Sequence, residues 1–568
     1  MLTSKAFRFI LLPLVALLLL RLVFWFATFP NPDEAYYWLW GQHPAFSYYD
    51  HPPLQAWVQG LFTAVFGRSA FTLRLPNLIS NGVFFYTYYQ ITRYLYGEKD
   101  RYSFWLVVTL VLTSPLYYLF LALAWHDHLL ITLSLASAYL FIRFLDSYLG
   151  DGKGQNWRLY GAAVTIGLAE LCKYTAVFVA LGFAATVVFD RRLRPLLRDR
   201  RIYLAGAIAT SAILPILLWN YTNDFQSFRY YFDRSLNTTG FRFQFAEPLK
   251  FLLFSVLMLS PVNCWVIFQV LKRRQKVEGS RNEEIVTTTN KNQSLRVPAS
   301  PRPRVSSTSV YQTVALWVFA ISTITLTAIS LVYTALYYWN ILAYLLLFPL
   351  LPTFFIKRRQ RAEGRGQKVT KRNDEDLEAP LSTLAIEAQE LDFAANKDAG
   401  LSPSPDLRRK SLLLTGQFYG LLFAALLVVN YSILPLASLV SKETEADPES
   451  RMLFGWKDVA AVVSQQAAQL GDEPLLVTTD YRSASALAYQ LQNRHVMAIA
   501  DRIDQFDFWY NEDHFLSKDI LILADDWHPI TPELLSRFEQ TSAPITVPVT
   551  RFGVWIKDYY LVLGIREK

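Results

Sequence analysis

The sequence FILLPLVALLLLRLVFWFATF at residues 9–29 is followed directly by PDEAYYWLWGQHPAFSYYDHPP at residues 32–53. The first stretch is apolar and long enough to cross a bilayer. The second is dense in aromatic side chains, bears Asp33, Glu34 and Asp50, and contains no lysine or arginine. The two stretches together predict a membrane-spanning helix that leads into a polar, carboxylate-bearing segment at the membrane surface.

The composition places the whole chain in the membrane class. Of its 568 residues, 52% are hydrophobic and 18% are charged, whereas soluble proteins average about 25% charged residues. The net charge of +8 comes largely from basic clusters between apolar runs, at 191–201, 272–276 and 357–361. That is the distribution of cytoplasmic loops, not of a nucleic-acid-binding face. The two cysteines, Cys172 and Cys264, exclude a disulfide framework.

The apolar runs predict about eleven spans. Lys5 and Arg8 precede the first run as they would in a signal peptide, but the run is too long and no cleavage site follows, so we expect a retained span. The predicted spans lie near 9–29, 72–95, 103–122, 129–146, 158–172, 174–189, 202–219, 249–271, 311–334, 340–356 and 412–438.

A cytoplasmic N-terminus places all the strongly basic loops on one side of the membrane. The other side then receives the loops 30–71, 123–128, 220–248 and 335–339, together with the chain after about residue 440. Two cytoplasmic loops, 277–309 and 357–410, are biased in composition and are predicted to be disordered. A regulatory or docking role for these loops is the alternative.

The C-terminal part changes character. Helical stretches such as 457–470 alternate there with short β-rich runs, which indicates a small α/β domain. The predicted strands lie at 474–478, 496–498, 519–523 and 544–549. The predicted fold class is therefore mainly α: a multi-span helical bundle at 1–440, with the first outer loop at 30–71, and an extracytoplasmic α/β domain at 441–568. In that domain Asp480, Tyr481, Arg502, Asp507 and Trp509 either line a groove or are ordinary surface groups.

Two acidic sites are predicted to meet at the outer face. Asp33 and Glu34 follow the first span, and Asp127 lies in the sequence WHDH, within a predicted tight turn between two spans. A carboxylate there can act as a base toward an acceptor hydroxyl, or can be a solvated interfacial group. The aromatic residues of the loop either anchor the chain at the interface or stack on a sugar, and the sequence does not divide these roles.

Several cations are candidates for binding a phosphate. Arg21 lies in the middle of the first span, where a charge costs at least ~2.5–3.5 kcal/mol, so an acid or a lipid phosphate is expected beside it. Lys173 lies in a tight outer connection, and its ammonium suits a phosphate or belongs to an ordinary loop. His51 precedes Pro52, where it can contact a phosphate or a hydroxyl, or cap the turn. No cofactor is predicted with certainty. A divalent metal held by histidines and acids of these loops remains open.

The order of the polar motifs resembles a known family. The motifs are DEAYYW at 33–38, YYDHPPL at 48–54, RLPN at 74–77, WHDH at 125–128, LCKYTA at 171–176, WNYTNDFQSF at 219–228 and YYWN at 337–340. Their order is similar to that of the lipid-phosphate-sugar-dependent transferases of the glycosyltransferase C superfamily. Within it, the chain most resembles the glycosyltransferase 39/83 group, which is related to aminoarabinose transferase and protein O-mannosyltransferases. The similarity extends to about residue 350.

The resemblance implies roles for particular residues. Asp33 would be the catalytic acid group, with Glu34 beside it and Asp127 as the second acidic motif. Lys173 would match the lysine that contacts the donor phosphate. Beyond the resemblance, we expect His51, Arg21 and Arg74 to contact that phosphate as well, and the substrates to be bound by Tyr36, Tyr37, Tyr49, Asp50, Trp339 and Asn340. Aminoarabinose transferases have an arginine at the position of Tyr36 and a lysine at that of His51, which puts aminoarabinose in doubt as the sugar.

These expectations define one main prediction and its rivals. The chain is expected in the plasma (inner) membrane, where it would move a sugar from a polyprenyl (undecaprenyl) phosphate to a lipid, glycan or protein acceptor at the outer face. A transporter or flippase of a lipid-linked sugar is the alternative. It fits Arg21, but no inverted repeat is evident. A non-catalytic protein that assists assembly is a third hypothesis. The sequence identifies neither the sugar nor the acceptor.

Overall fold

The computed structural model describes eight stretches of the chain, which are residues 5–230, 243–273, 307–356, 405–443, 446–470, 474–500, 502–510 and 519–565. They form a helical bundle followed by a region with a mixed β-sheet. The two loops predicted to be disordered lie almost wholly outside the described residues. Their described ends, at 307–309 and 405–410, belong to helices.

The α-helices, numbered in chain order, are α1 (Lys5–Ala27), α2 (Pro32–Gln42), α3 (Leu54–Phe66), α4 (Ala70–Tyr96), α5 (Arg101–Leu112), α6 (Pro115–Phe120), α7 (His126–Asp151), α8 (Asn156–Glu170), α9 (Val177–Phe189), α10 (Arg200–Ser211), α11 (Leu214–Thr222), α12 (Ala246–Leu259), α13 (Pro261–Arg273), α14 (Ser307–Ile329), α15 (Ile341–Tyr344), α16 (Pro352–Phe355), α17 (Pro405–Val428), α18 (Pro448–Arg451), α19 (Trp456–Gln469), α20 (Tyr481–Leu491) and α21 (Pro532–Leu535). Short 3-10 helices lie at Tyr174–Ala176, Arg194–Arg198, Tyr337–Asn340, Phe348–Leu350, Leu436–Leu439 and Gln505–Phe508, and a π-helical turn at Val429–Ile433.

The chain is a multi-pass membrane protein, but the count of eleven spans is not confirmed. Within the described residues, four helices are long and apolar enough to cross a membrane, at Phe9–Ala27, His126–Asp151, Ser309–Ile329 and Leu407–Ile433. The number rises to seven if each of three bent helix pairs is one span.

Several predicted spans are broken. The run 249–271 was expected to be one helix, yet α12 and α13 meet at an angle of 98°. The break lies at Ser260, whose φ of 83° ends α12, and Pro261 then begins α13. The runs 202–219 and 340–356 are bent by 42° and 46°. Apolar composition alone does not reveal such breaks, because both halves of a bent span are hydrophobic.

The first outer loop folds into two helices that pack closely together. A Cβ on Gly41 of α2 would lie 2.7 Å from the backbone nitrogen of Gly60 in α3, so the two backbones are in direct contact. Helix α3 turns its polar side inward: Gln55 and Gln59 each donate from Nε2 to the carbonyl of Ala124, at 2.7 and 3.0 Å. Glutamines that a sequence pattern would place at the surface therefore fix the connection before α7.

The C-terminal sheet has six strands, which are β1 (Leu475–Thr478), β2 (Met497–Ala498), β3 (Ile520–Asp525), β4 (Gln540–Thr541), β5 (Ile545–Arg551) and β6 (Val554–Ile565). The order is β2-β1-β3-β6, with β4 and β5 both paired to β6. The pairs β1–β2 and β1–β3 are parallel, and every pair with β6 is antiparallel. All four predicted strands are present. The prediction missed β4 and the longest strand, β6.

The sheet region shares its hydrophobic core with the first outer loop. The ring of Trp38 in α2 lies 5.2 Å from that of Tyr489 in α20, and Tyr36 lies 4.7 Å from Tyr481. Buried aromatic residues of α2 and apolar residues of α19, α20 and the sheet form one cluster. The C-terminal region is thereby held directly over the polar loop.

Candidate active site

Glu34 and Arg74 form a fully buried pair at the start of α2. Arg74 donates from Nε to Glu34 Oε1 at 3.0 Å and from Nη2 to Oε2 at 2.6 Å, and neither side chain is exposed. The same carboxylate accepts the backbone N–H groups of Asn31 at 2.8 Å and Ala124 at 2.6 Å. The carboxylate of Glu34 thus joins α2, α4 and the connection before α7.

Arg74 also closes the end of the first span. Its Nη1 donates to the carbonyls of Phe24, Trp25 and Thr28, at 3.1, 3.2 and 3.1 Å. A cation bound to the free carbonyls of a helix C-terminus is favourable. The predicted roles, catalysis for Glu34 and phosphate binding for Arg74, do not fit this geometry, because the two side chains already satisfy one another and the nearby backbone.

Asp33 differs from its neighbour. Its backbone N–H donates to the side chain of Asn31, which caps α2, but its carboxylate has no hydrogen bond or ion pair with any described residue. The side chain is half-buried. Burial raises the pKa of Asp33, while the positive charges of Arg482, His126 and Arg502 oppose that rise. Among the predicted acidic residues, Asp33 is the one whose carboxylate forms no hydrogen bond or ion pair with a described residue.

Asp127 and Lys173, predicted on separate outer connections, form a second buried pair. Lys173 Nζ lies 3.1 Å from Asp127 Oδ1 and 3.4 Å from Oδ2. His126 Nε2 is 3.1 Å from Asp127 Oδ2. The prediction placed Asp127 in a tight turn, whereas it lies in the first turn of α7. The N-terminus of a helix favours a negative charge at that position.

Histidine and tyrosine rings connect Asp33 to this pair. The ring of His51 lies 4.3 Å from that of His126, and Tyr37 lies 5.4 Å from His126. The carboxylates of Asp33 and Asp127 both add to the effect of burial in raising the pKa of Tyr37. Lys173 Nζ also lies 4.8 Å from the ring centre of Tyr338. We refer to Asp33, Tyr37, His51, His126, Asp127, Lys173 and Tyr338 as the Asp33–Asp127 cluster.

Local hydrogen bonds hold the cluster in place. Leu54 N donates to the carbonyl of Leu171 at 3.0 Å, which keeps the segment of His51 beside that of Lys173. Asn77 of α4 donates from Nδ2 to the carbonyl of Leu123 at 2.5 Å. With the contacts of Glu34 and the two glutamines of α3, this bond positions the start of α7 from three sides.

Three other predicted residues lie elsewhere. Arg21 donates to the backbone carbonyl of Tyr118 at 2.5 Å and lies over its ring, so a carbonyl occupies the place expected for an acid or a phosphate. Asn340 is fully buried and bonds to Ser322 and Tyr344 within the bundle. Trp339 stacks on Tyr333, with ring centres 6.0 Å apart. In the YYWN motif, Tyr338 is the residue that reaches the cluster.

Tyr36 links the first outer loop to the C-terminal region. Its hydroxyl donates to Asp50 Oδ2 at 2.9 Å and accepts from the backbone N–H of Gln505 at 3.0 Å. Tyr49 N donates to Gln505 Oε1 at 2.7 Å. Tyr36 and Asp50 were predicted to bind substrate, but their buried polar groups bond to each other. Tyr49 remains beside the rings of Tyr230 and Phe508.

The sequence did not single out Tyr338 or Arg482 as site residues. Arg482 and Arg502 are the C-terminal cations whose charges act on Asp33. No local pattern marks Arg482, because it reaches the site through the packing of α20 on α2. Arg502 was named as a possible groove residue of the C-terminal domain, and its guanidinium lies over the ring of Tyr481. Within the described ranges, no group of three or more His, Cys, Asp or Glu side chains is arranged to hold a metal.

Known proteins share this fold and parts of this sequence. The family model of dolichyl-phosphate-mannose-protein mannosyltransferase matches residues 50–219. Lipid A galacturonosyltransferase RgtD of Rhizobium johnstonii is 28% identical over 200 residues, which is 34% of this chain and 38% of that protein. The chain thus matches well under half the length of this curated relative.

Two crystal structures of ArnT from Cupriavidus metallidurans match over nearly the full length. The apo structure has a TM-score of 0.55 at 12% identity and covers 99% of both chains. The structure bound to undecaprenyl phosphate has a TM-score of 0.57 at 13% identity and covers 98% of this chain and 97% of that chain. The chain therefore has the ArnT fold. Together with the family match, this confirms the predicted resemblance to the glycosyltransferase C superfamily.

Proposed function

We propose that this protein transfers a sugar from a polyprenyl phosphate to a hydroxyl group of a lipid, glycan or protein at the outer face of the membrane. The observation that carries the proposal is the half-buried carboxylate of Asp33, which has no partner among the described residues and faces a cluster of cations and tyrosines. The ArnT fold, with undecaprenyl phosphate bound in one crystal structure of that protein, supports a polyprenyl phosphate as carrier.

Asp33 would act as the general base. A raised pKa brings a carboxylate closer to the working pH, where a base is most effective. The acceptor hydroxyl loses its proton to Asp33 as its oxygen attacks the anomeric carbon of the sugar. The bond from that carbon to the phosphate oxygen breaks, and the electron pair leaves with the polyprenyl phosphate.

Lys173 and His51 would stabilise the departing phosphate. A fixed cation such as the Lys173 ammonium, or an N–H donor such as the His51 ring, contributes strongly when it is aimed at a developing negative charge in a site that excludes water. Asp127 holds the Lys173 ammonium through both carboxylate oxygens, so its role is to position Lys173. Arg21 and Arg74 are assigned to the scaffold, because their guanidinium groups bond to backbone carbonyls and to Glu34.

The orientation follows from the charge pattern of the loops. The basic clusters at 191–201 and 272–276 are expected on the cytoplasmic side of the inner membrane. The Asp33–Asp127 cluster and the C-terminal region would then face outward.

The name of the Rhizobium relative makes galacturonic acid and lipid A the first donor sugar and acceptor to test.

The transporter alternative loses its main support. It rested on Arg21 as a charge lining a pathway, and that guanidinium bonds to a carbonyl and stacks on Tyr118. The family model that matches residues 50–219 is that of a mannosyltransferase.

Replacement of Asp33 tests the proposed function. Asp33→Asn should abolish transfer from a polyprenyl-phosphate sugar while the purified protein keeps its melting temperature. Asp458→Asn, on the exposed side of α19, is the matched control and should retain activity. Normal transfer by Asp33→Asn would refute the assignment.

A further inference from the structure

Two arginines of the C-terminal region lie against one aromatic ring. The guanidinium carbon of Arg482 is 5.0 Å from the ring centre of Tyr481, and that of Arg502 is 4.8 Å from the same centre. Arg482 also lies 5.0 Å from the ring centre of Trp527. Neither guanidinium forms a hydrogen bond or an ion pair with another residue in the described parts of the chain.

Both arginines lie close to Asp33. The Tyr481 ring is 4.7 Å from that of Tyr36, which follows Asp33 by one helical turn in α2. The next residue, Tyr37, instead contacts His51 and His126. The arginines therefore approach Asp33 from the side of the C-terminal region, and the histidines approach it from the side of the bundle.

The nearby acids Asp480 and Asp50 do not form ion pairs with the two guanidinium groups. Asp480 uses its Oδ2 to accept the backbone N–H groups of Arg482 and Ser483, at 2.9 and 3.3 Å, and so caps α20. Asp50 accepts from Tyr36. Arg482 is half-buried and Arg502 is exposed, so both can be reached from the solvent side. Guanidinium groups held by stacking keep their N–H donors free for a planar or tetrahedral anion.

We propose that Arg482 and Arg502 bind an anionic group, a carboxylate or a phosphate, that is carried by the transferred sugar or by the acceptor. Tyr481 holds the two guanidinium groups in place, and the bound group lies next to Asp33. The inference rests on the proposed function and narrows it: one of the two substrates carries a negative charge in addition to the donor phosphate. Charge-assisted hydrogen bonds from arginine suit both anions.

The test uses the purified full-length protein and two matched pairs of ligands. One pair is polyprenyl phosphate galacturonate and polyprenyl phosphate galactose, which differ at one carbon of the sugar, a carboxylate in the first and a hydroxymethyl group in the second. The other pair is lipid A with and without its phosphates. Affinities are measured for the unchanged protein, for Arg482→Gln and Arg502→Gln, and for Arg494→Gln, an exposed arginine that serves as control.

We expect the charged member of one pair to bind about 10- to 100-fold more weakly to Arg482→Gln, as loss of a hydrogen bond to a charged group implies, with a loss in the same direction for Arg502→Gln. The member of the pair that lacks this anionic group should bind all variants alike, and Arg494→Gln should bind both members as the unchanged protein does. The pair that responds identifies whether the sugar or the acceptor carries the anion.

Equal losses for the two members of a pair, or no loss for any ligand, would overturn the inference. Transfer assays separate this failure from failure of the proposed function. If transfer depends on Asp33 but is indifferent to both arginines with every ligand, only the anion site is refuted. If charge-selective binding is lost in the arginine variants but no sugar transfer occurs, the anion site stands and the proposed activity falls.

Discussion

Arg74 Nη2 lies 2.6 Å from Glu34 Oε2, and neither side chain is exposed to solvent. Asp33, the preceding residue, has no such partner among the described residues. Adjacent acids at the start of one helix thus differ in their contacts: Glu34 is paired with Arg74, whereas the carboxylate of Asp33 bonds to no described residue.

Replacement of Glu34 should mainly lower the free energy of unfolding, because Glu34 is paired with Arg74. Glu34→Gln leaves the Arg74 charge buried without its counter-ion, a change that typically costs about 3–5 kcal/mol. We expect the free energy of unfolding in detergent to fall by about that amount. The double variant Glu34→Gln with Arg74→Met should recover part of the loss, because the unpaired charge is gone. A double-mutant cycle with no coupling would contradict the paired role.

Asp33→Asn, in contrast to Glu34→Gln, should not lower the free energy of unfolding at neutral pH. Burial raises the pKa of Asp33, so the folded protein binds this proton more tightly than the unfolded chain does. The contribution of Asp33 to stability therefore falls as the pH rises from the ordinary carboxylate value of about 3.9 through the raised value. At neutral pH, Asp33→Asn should leave the free energy of unfolding unchanged or increase it. A clear loss would indicate a structural bond for this carboxylate.

The pH dependence of transfer should report the same group. As a base, Asp33 must be ionised, so kcat/KM should fall on the acid side at a pH above the usual carboxylate range. Among the positive charges that lower the pKa of Asp33, that of Arg482 has the largest effect. Arg482→Gln should therefore raise the pKa of Asp33 further and move the acid limb of the profile to higher pH. An unmoved limb would show that Asp33 is not the group that limits the rate.

The sequence predicted the acids better than their partners. The motif order singled out Asp33, Asp127 and Lys173, and in the structure Asp127 and Lys173 lie together beside His126, whose ring is close to those of His51 and Tyr37. The roles of these residues stay predictions. The sequence could not separate Asp33 from Glu34, because the difference lies in Arg74, forty residues away. The same limit applies to Tyr36, whose partner Gln505 is 469 residues distant.

The helical bundle shows a corresponding limit. Hydropathy located the apolar runs but not the bends, since Ser260 at a positive φ interrupts a run that remains hydrophobic on both sides. The strands at 474–478 and 519–523 were predicted because β-branched and leucine residues are concentrated there. Strand β6 was missed although much of it consists of Val, Ile, Trp and Tyr, which favour strands. Lys557 and Asp558 interrupt its apolar pattern.

Single and double variants of the Lys173–Asp127 pair should separate effects on stability from effects on sugar transfer. Lys173→Met leaves the buried carboxylate of Asp127 with His126 as its one ion-pair neighbour among the described residues, so both stability and transfer should fall. Adding Asp127→Asn removes the uncompensated charge and should restore much of the melting temperature. Transfer should stay low in the double variant, because the cation for the leaving phosphate is still absent. If transfer recovers together with stability, Lys173 has no part in the chemistry.

The close contact of α2 with α3 should be sensitive to a single methyl group. A Cβ on Gly60 would lie 2.6 Å from the carbonyl oxygen of Gly41, and its three nearest neighbours are all backbone atoms of Gly41, which cannot turn aside. Gly60→Ala should therefore force α3 away from α2 and destabilise the protein by about 1–3 kcal/mol, as overpacking does. Gly82 in α4 has no atom within 4 Å of the added methyl, so Gly82→Ala should be neutral or stabilising by up to about 1 kcal/mol. Because α3 holds the connection before α7 through Gln55 and Gln59, Gly60→Ala should also lower kcat by displacing Asp127. Comparable melting temperatures and kcat values for the two alanine variants would show that the contact does not position the site.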